Sequence, residues 1–337
     1  MTIKSYKIKV IKLKYDPVPF LLNAPQPWVR FNTLENLATD LATREMLAES
    51  KKNMLNSPLI RESVERGLDW ETSILKRHND ATHPIHRLEM LVELGLTRED
   101  PKVTEIANKI FDHQSPEGAF MSKILVPKSF KGSGEENWDW MTCDAPILLY
   151  FLASTGYSAD ERVLKAAKQL TELFRENGLG CHSSIQKFRG PGRKDDPCPY
   201  ANLLALKALA GFSQEEIKNA CQLALKAQFD FWNNRGKRKI YLFGIGTDFQ
   251  KLKYPNIYYN IIHVLDVLSL FDEARENQAF LEMLAVVNNK QAEDGSFTPE
   301  SAWRSFKSQD FSQKKIPSPT LTYKIALINQ RCGLLPR

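Results

Sequence analysis

Five apolar segments recur along the chain and dominate its hydrophobic pattern. Each is about three helical turns long and apolar on most faces, and helices of that character are usually buried. Successive segments start about 60 residues apart, a period typical of repeat architectures. The pattern therefore predicts buried helices at residues 83–94, 143–155, 200–210, 258–270 and 319–330.

Four amphipathic segments alternate with the apolar ones and carry their charges on one face. Each ends near a glycine, the residue favoured just past a helix end, where the backbone takes a positive φ. Such segments predict outer helices with one solvated face. They occupy residues 100–113, 159–176, 214–233 and 272–290, and the glycines are Gly118, Gly178, Gly236 and Gly295.

The connections between these segments differ in length in a regular way. Each step from an apolar to an amphipathic segment is short, whereas each return takes about 20 residues. Loops of that length inside a compact domain are usually functional. If the apolar segments form an inner ring of helices, all the long loops lie on one face, beside the N-terminal ends of those helices.

The N-terminal residues do not follow the repeat. Lysines alternate with apolar residues over 1–15, which predicts a short edge strand or ordered extension and excludes a signal peptide or membrane span. The proline-rich residues 16–28 predict an extended wrap, and helical spacing resumes at Val29 to form a first hairpin over 29–67. We therefore expect an N-terminal extension at 1–28 and a single domain at 29–337.

Charge and cysteine content narrow the classes of protein that remain. The net charge of +6 is modest for 337 residues and no long basic block is present, so the sequence does not predict a nucleic-acid-binding protein. Its five cysteines are odd in number and include no Cys-x-x-Cys pair. That usage favours reduced thiols, and we expect a cytoplasmic protein.

Two long loops contain the same short motif. Residues 114–120 read Gln-Ser-Pro-Glu-Gly-Ala-Phe and residues 291–297 read Gln-Ala-Glu-Asp-Gly-Ser-Phe. The motif resembles the Gln-x-x-Asp-Gly-x-aromatic repeats of the terpenoid cyclase and protein prenyltransferase superfamily, and the resemblance covers about residues 30–335. It implies an all-α fold, an α/α toroid of about six hairpins with inner and outer helices around a central cavity. The alternative is an open helical array that binds proteins.

One long loop and its successor carry a candidate anion site. Arg189, Arg193 and Lys194 lie in a Gly-Pro-Gly loop directly before an apolar segment, and Asp248 and Lys251 lie in the next loop. Helix N-termini carry unpaired N–H groups that favour anions. The loops therefore predict a cradle for a phosphate or carboxylate, with a solvated basic loop as the alternative.

The resemblance also suggests catalytic groups in this loop. Asp196 and Cys198 match the Asp-x-Cys zinc ligands of prenyltransferase β-subunits, but Ile257 stands where that family has a histidine, so we expect no zinc and no other cofactor. Asp195 and Asp196 partly match the acidic loop of class II terpene cyclases, although Arg193 occupies its first acidic position. The resemblance thus suggests Asp195, Asp196 and Cys198 as catalytic residues, and Asp144 is a fourth candidate.

Further candidates stand at similar positions around the predicted inner ring. Asp144 opens an apolar segment, where an acid is either a helix cap or a cavity acid. A thiol paired with His83 is an alternative nucleophile. Polar groups on an apolar bore are typical of ligand pockets, and here they are His83, Trp140, Cys143, Tyr200 and Tyr259.

Three functions are compatible with these features. The first is an enzyme that acts on an apolar substrate, with or without a diphosphate, whose anionic end lies near residues 189–200. The second is a non-catalytic carrier that uses the same cavity. The third is a scaffold that binds a protein through its outer helices or long loops. The expected partner is an apolar or anionic small molecule rather than nucleic acid, and the sequence identifies no protein partner.

Overall fold

The computed structural model describes residues 12–188, 190–237, 239 and 243–336. These residues hold 14 α-helices and two small two-stranded sheets, so the predicted mostly helical fold is confirmed. The strand predicted within residues 1–15 falls mainly outside the described residues. None of the helices in the described part of the chain combines the length and apolar character needed to cross a bilayer.

The first four helices are α1 (Val18–Leu22), α2 (Pro27–Asn36), α3 (Arg44–Leu55) and α4 (Pro58–Leu68). The prediction that residues 16–28 are extended is wrong, because α1 and the start of α2 lie there. Proline is well accommodated in the first turn of a helix, where its missing N–H has no partner to lose. Asp16 Oδ1 also accepts a hydrogen bond from the Val18 amide at 2.9 Å and so supports the start of α1.

Beyond residue 68, the predicted apolar and amphipathic segments are helices within a few residues of their expected bounds. Residues 272–290 divide into two helices. The set is α5 (Ile85–Glu93), α6 (Val103–Phe111), α7 (Ala145–Leu152), α8 (Glu161–Glu172), α9 (Pro199–Leu209), α10 (Glu215–Asn233), α11 (Ile261–Leu268), α12 (Asp272–Arg275), α13 (Gln278–Asn288) and α14 (Pro319–Arg331). Every residue of α9 and α11 is buried, whereas α8 and α10 bury one face.

The buried helices are neighbours in chain order. Helix α5 packs against α7, α7 against α9, α9 against α11, α11 against α14, and α14 against α2. The indole Nε1 of Trp28 donates to Thr320 Oγ1 at 2.9 Å, which joins α2 to α14. Asn32 Nδ2 donates to the Leu94 carbonyl at 2.9 Å, which joins α2 to the end of α5. The first and last buried helices are thus in direct contact.

The two loops with the shared motif also share a hydrogen bond. The glutamine Nε2 donates to the carbonyl of the glycine four residues later, at 2.7 Å for Gln114 and Gly118 and at 3.1 Å for Gln291 and Gly295. Both glycines have positive φ, which a residue with a side chain rarely adopts. Gln291 Nε2 donates in addition to the Tyr15 carbonyl at 2.8 Å, so the last loop holds the N-terminal segment.

The long loops contain the strands of the structure. Strand β1 (Ser122–Leu125) pairs antiparallel with β2 (Glu136–Asp139), with Ser122 opposite Asp139. Strands β3 (Phe174–Arg175) and β4 (Gly178–Leu179) form a second, two-residue pair. These hairpins provide loop walls that the prediction of an all-α fold did not include.

Candidate functional site

A cavity of about 480 Å³ lies between the long loops and the first turns of α7 and α9. Its volume is within the range of small-molecule sites, and its lining is mainly apolar. We call it the thiol cavity because three cysteines line it. The side chains used below are Leu75, Lys76, Arg77, His78, Ile124, Leu125, Cys143, Cys181, Cys198, Tyr200, Phe243 and Tyr258.

The three thiols come from separate parts of the chain. Cys143 precedes α7, Cys181 follows β4, and Cys198 is the N-cap residue of α9. The Cys143 thiol lies within hydrogen-bonding distance of the other two, and these contacts together with burial raise its pKa. The contact with Cys143 lowers the pKa of Cys198 against the effect of burial, helped by the backbone N–H groups of Tyr200 and Ala201.

Asn202 fixes the position of Cys198, a role that the sequence analysis missed. The Cys198 amide donates to the Leu179 carbonyl at 2.8 Å. Asn202 Nδ2 donates to the carbonyls of both Cys198 and Leu179, at 2.8 Å each, and its Oδ1 accepts from the Leu179 amide at 2.9 Å. Asn202 is completely buried, so β4 and the first turn of α9 are held together inside the protein. A buried amide in an otherwise apolar helix was the available signal.

An aromatic wall closes one side of the thiol cavity. The Tyr200 and Tyr258 ring centroids are 5.3 Å apart, and Phe243 stacks on Tyr258 at 5.2 Å. Tyr200 Oη donates to the Ile257 carbonyl at 2.9 Å. Ile257, which stands where the family resemblance places a zinc-binding histidine, is therefore buried and contributes its backbone to this wall.

A smaller cavity of about 170 Å³ lies behind the wall and shares Phe243 and Tyr258 with the thiol cavity. Asp248 and Tyr259, two predicted ligand-binding residues, line this smaller space. Tyr259 Oη donates to Gln228 Oε1 at 2.9 Å. The structure thus separates Tyr259 from Tyr200, which lines the thiol cavity.

The basic loop before α9 directs its predicted anion-binding side chains to solvent. Arg193, Lys194 and Asp195 are exposed and are not among the residues that line the thiol cavity. The β3–β4 hairpin holds the loop backbone in place. Arg175 Nη1 donates to the Lys194 carbonyl at 3.1 Å, and Asn177 Nδ2 donates to the Asp195 carbonyl at 2.8 Å. The cradle predicted around these side chains remains a prediction.

The other residues of the predicted cradle are dispersed. Asp196 is half-buried and its carbonyl accepts from Arg175 Nη2 at 3.3 Å. Lys251 Nζ pairs with Asp248 Oδ1 at 2.8 Å near the surface. Arg189 lies outside the described residues. The described members therefore do not converge on one point.

Two polar candidates accept hydrogen bonds from backbone N–H groups at the start of a helix, and one of them, Asp144, is the N-cap residue of α7. His83 is buried, and its Nδ1 accepts from the Ile85 amide at 3.2 Å at the start of α5. Asp144 is completely buried, and its Oδ1 accepts from the amides of Met141 at 2.7 Å and Ala145 at 2.6 Å. Burial raises the Asp144 pKa to about 7, against the effect of these two bonds. Neither residue lines the thiol cavity.

The imidazole in the thiol cavity belongs to His78 instead of His83. Burial lowers the His78 pKa to about 4, so the ring is neutral near pH 7. Its Nδ1 has no hydrogen-bond partner within the described residues. Trp140 is buried beside Met141, but it also falls outside the lining of the thiol cavity.

Five buried charged side chains meet between α5, α9, α11 and α14, where the sequence predicts an apolar interior. Lys207 Nζ on α9 contacts Glu89 Oε1 at 2.6 Å and Glu93 Oε1 at 2.5 Å, both on α5. Lys324 Nζ on α14 contacts Asp266 Oδ2 at 3.1 Å and Glu93 Oε2 at 3.3 Å. We call these five residues the central ion cluster. All five lie in segments that the sequence predicts to be buried, where a charge signals a buried partner but does not identify it.

The central ion cluster borders a second cavity of about 480 Å³, lined by Lys207, Asp266 and Lys324. His263 links the central ion cluster to Tyr200, a residue of the thiol cavity. Its Nε2 lies 3.4 Å from Glu89 Oε1, and its ring contacts the Tyr200 ring in an edge-to-face arrangement. Within the described part of the chain, this polar cavity and the thiol cavity share no lining residue.

Neither a search for metal-binding groups nor a comparison with known proteins assigns a role to these residues. Within the described ranges, no three His, Cys, Asp or Glu side chains are grouped so that they could hold a metal ion. No protein-family model and no curated protein matches the sequence.

Proposed function

We propose that the chain is an α/α toroid that binds an apolar small molecule in the thiol cavity. The order of contacts among the buried helices supports a closed ring, since α14 packs against both α11 and α2. The bond between Trp28 and Thr320 and the contact of Gln291 with Tyr15 support closure at the two ends of the array.

The thiol cavity is the observation that carries the binding proposal. Its apolar wall is built from aliphatic and aromatic side chains, and its polar groups fall into two sets, the three thiols near the starts of α7 and α9 and the segment 76–79. Binding sites for small molecules combine these two properties. The free state of all five cysteines supports a reducing compartment, the cytoplasm.

We propose further that an anionic head group of the ligand, such as a diphosphate, lies near Lys76 and Arg77. Both side chains are exposed and line the thiol cavity, and none of its lining residues in the described part of the chain is acidic. A positive mouth on an apolar pocket favours a ligand with an apolar body and an anionic end. The candidate acids Asp144, Asp195 and Asp196 lie outside the cavity lining, so the proposed role is binding.

Isothermal titration calorimetry with farnesol and farnesyl diphosphate tests the proposal. We expect both probes to bind, and Leu125→Trp to weaken both at least tenfold, because Leu125 lines the thiol cavity and the larger ring fills it. Lys123→Trp is the matched control, since Lys123 lies on the same strand but not in the cavity lining.

The charged mouth is tested separately by the double variant Lys76→Ala, Arg77→Ala. It should weaken farnesyl diphosphate and leave farnesol unchanged. Wild-type protein that binds neither probe, or a Leu125→Trp variant that is stable and binds both as the wild type does, would contradict the proposed binding site.

A further inference from the structure

Two cysteines that line the thiol cavity, one before α7 and one at the N-cap of α9, are in contact and are suited to reaction with each other. We infer that Cys143 and Cys198 are a dithiol pair that a hydroperoxide oxidises to an intramolecular disulfide. The inference goes beyond ligand binding and uses the proposed site only as the route by which the peroxide reaches the sulfurs.

The surroundings of the two sulfurs assign them different roles. Cys198 is the N-cap residue of α9, a helix of 11 residues, and the backbone N–H groups of Tyr200 and Ala201 help to lower the pKa of its thiol. A thiolate is favoured at such a helix N-terminus, and the thiolate is the nucleophilic form of cysteine. Cys143 supplies the S–H that stabilises this thiolate and keeps its own proton. Cys198 is therefore the attacking residue and Cys143 the resolving residue.

The reaction balances with one hydroperoxide for each pair. The Cys198 thiolate attacks the outer peroxide oxygen, the O–O bond breaks, and the alkoxide leaves as an alcohol after taking a proton. Cys198 is then a sulfenic acid. Cys143 sulfur attacks it, an S–S bond forms, and the hydroxyl leaves as water with the Cys143 proton. The two thiols are oxidised, and the peroxide is reduced to an alcohol and water.

The third thiol of the cavity is confined by its neighbour. A side-chain carbon at Gly190 would lie 2.8 Å from Cys181 Sγ, so the loop backbone presses directly against Cys181. Cys198 is 3% exposed and lines the cavity from the N-terminal end of a buried helix, where the backbone N–H groups of the first turn favour a thiolate. The same Cys143 thiol contacts both, so the choice of partner must be tested directly.

The experiment uses the full chain, reduced with dithiothreitol, desalted, and treated with one equivalent of hydrogen peroxide or cumene hydroperoxide. Thiol titration under denaturing conditions should show the loss of two of the five thiols. Peptide mapping without reduction should find Cys143 linked to Cys198, and dithiothreitol should restore both thiols.

Variants separate the two roles. Cys198→Ser should prevent thiol loss, whereas Cys143→Ser should stop the reaction at a Cys198 sulfenic acid that dimedone traps. Cys221→Ser, at a buried cysteine on the outer helix α10, is the matched control and should react as the wild type does. Melting curves confirm that each variant is folded. The oxidation assay contains no farnesol or farnesyl diphosphate, so its outcome does not depend on whether the protein binds them.

Three results would overturn the inference. The first is retention of all thiols at tenfold excess peroxide. The second is a disulfide that contains Cys181. The third is release of stoichiometric zinc from the purified chain on thiol alkylation, which would make the cluster a metal site.

Discussion

The central ion cluster offers the sharpest test of the packing at the middle of the fold. Lys207 is 5% exposed and contacts two carboxylates, on Glu89 and Glu93, within 2.6 Å. Burial opposes charge on Glu89, but Lys207 and His263 outweigh it and hold the Glu89 pKa at about 2. Lys207→Met keeps the length of the side chain and removes its charge, which leaves both carboxylates without their shared partner.

The cost follows from the loss of one member of a buried ion pair. Such a loss destabilises a protein by about 3–5 kcal/mol, because the remaining charge stays buried and uncompensated. With an unfolding entropy of about 2.1 cal/mol/K per residue, a chain of this length should lose about 4–7 °C in melting temperature. The loss should be larger at pH 8 than at pH 5, because Glu89 without Lys207 gains a raised pKa and is protonated more readily at the lower pH.

Scanning calorimetry at pH 8 and pH 5 measures this loss. Lys226→Met is the matched control, since Lys226 is exposed on α10 and should change the melting temperature by less than about 1 °C. The double variant Lys207→Met, Glu89→Leu should recover part of the loss, because Glu93 retains its contact with Lys324. A Lys207→Met protein as stable as the wild type would show that the central ion cluster does not form in solution.

Three further predictions concern individual contacts. Burial raises the Asp144 pKa from 3.8 to about 7, so the wild type loses stability as the pH rises through that interval. Asp144→Asn should therefore be more stable than the wild type by on the order of 4 kcal/mol at pH 8, and little different below pH 4. Urea unfolding at the two pH values measures the difference in the free energy of unfolding. Gln291→Ala removes the bonds of Gln291 to Lys14, Tyr15 and Gly295, and should cost about 1–3 kcal/mol and speed proteolysis near residue 14, whereas Gln114→Ala should not affect that cleavage. Asn202→Leu should cost about 1–3 kcal/mol and change the rate of Cys198 alkylation by iodoacetamide, because the bonds that fix β4 to α9 are lost; an unchanged rate would contradict the role given to Asn202.

The helices were predictable because their information is local. The period of the apolar segments located α5, α7, α9, α11 and α14, and the Gln-to-Gly motif identified two equivalent loops whose shared hydrogen bond the structure shows. Residues 16–28 were misjudged because prolines that start helices were interpreted as evidence of an extended chain.

The candidate site was predicted only in part, because it depends on contacts distant in sequence. Cys143, Cys198 and Tyr200, which stand near the starts of apolar segments, line one cavity. Lys207 and Glu89 are separated by 118 positions. A charge in an apolar helix indicates that a buried partner exists, but the sequence does not show which residue it is. Arg175 and Asn177 bind the backbone of the basic loop from the β3–β4 hairpin, and these contacts join residues 18 and 19 positions apart.

A crystal structure of the chain with saturating farnesol tests the central claim most directly. We predict a closed ring in which α14 packs against α2, with farnesol in the thiol cavity between the Cys143 and Cys198 sulfurs and the Tyr258 ring. An array in which α14 and α2 are apart, or a closed ring with the thiol cavity free of farnesol, would contradict the account.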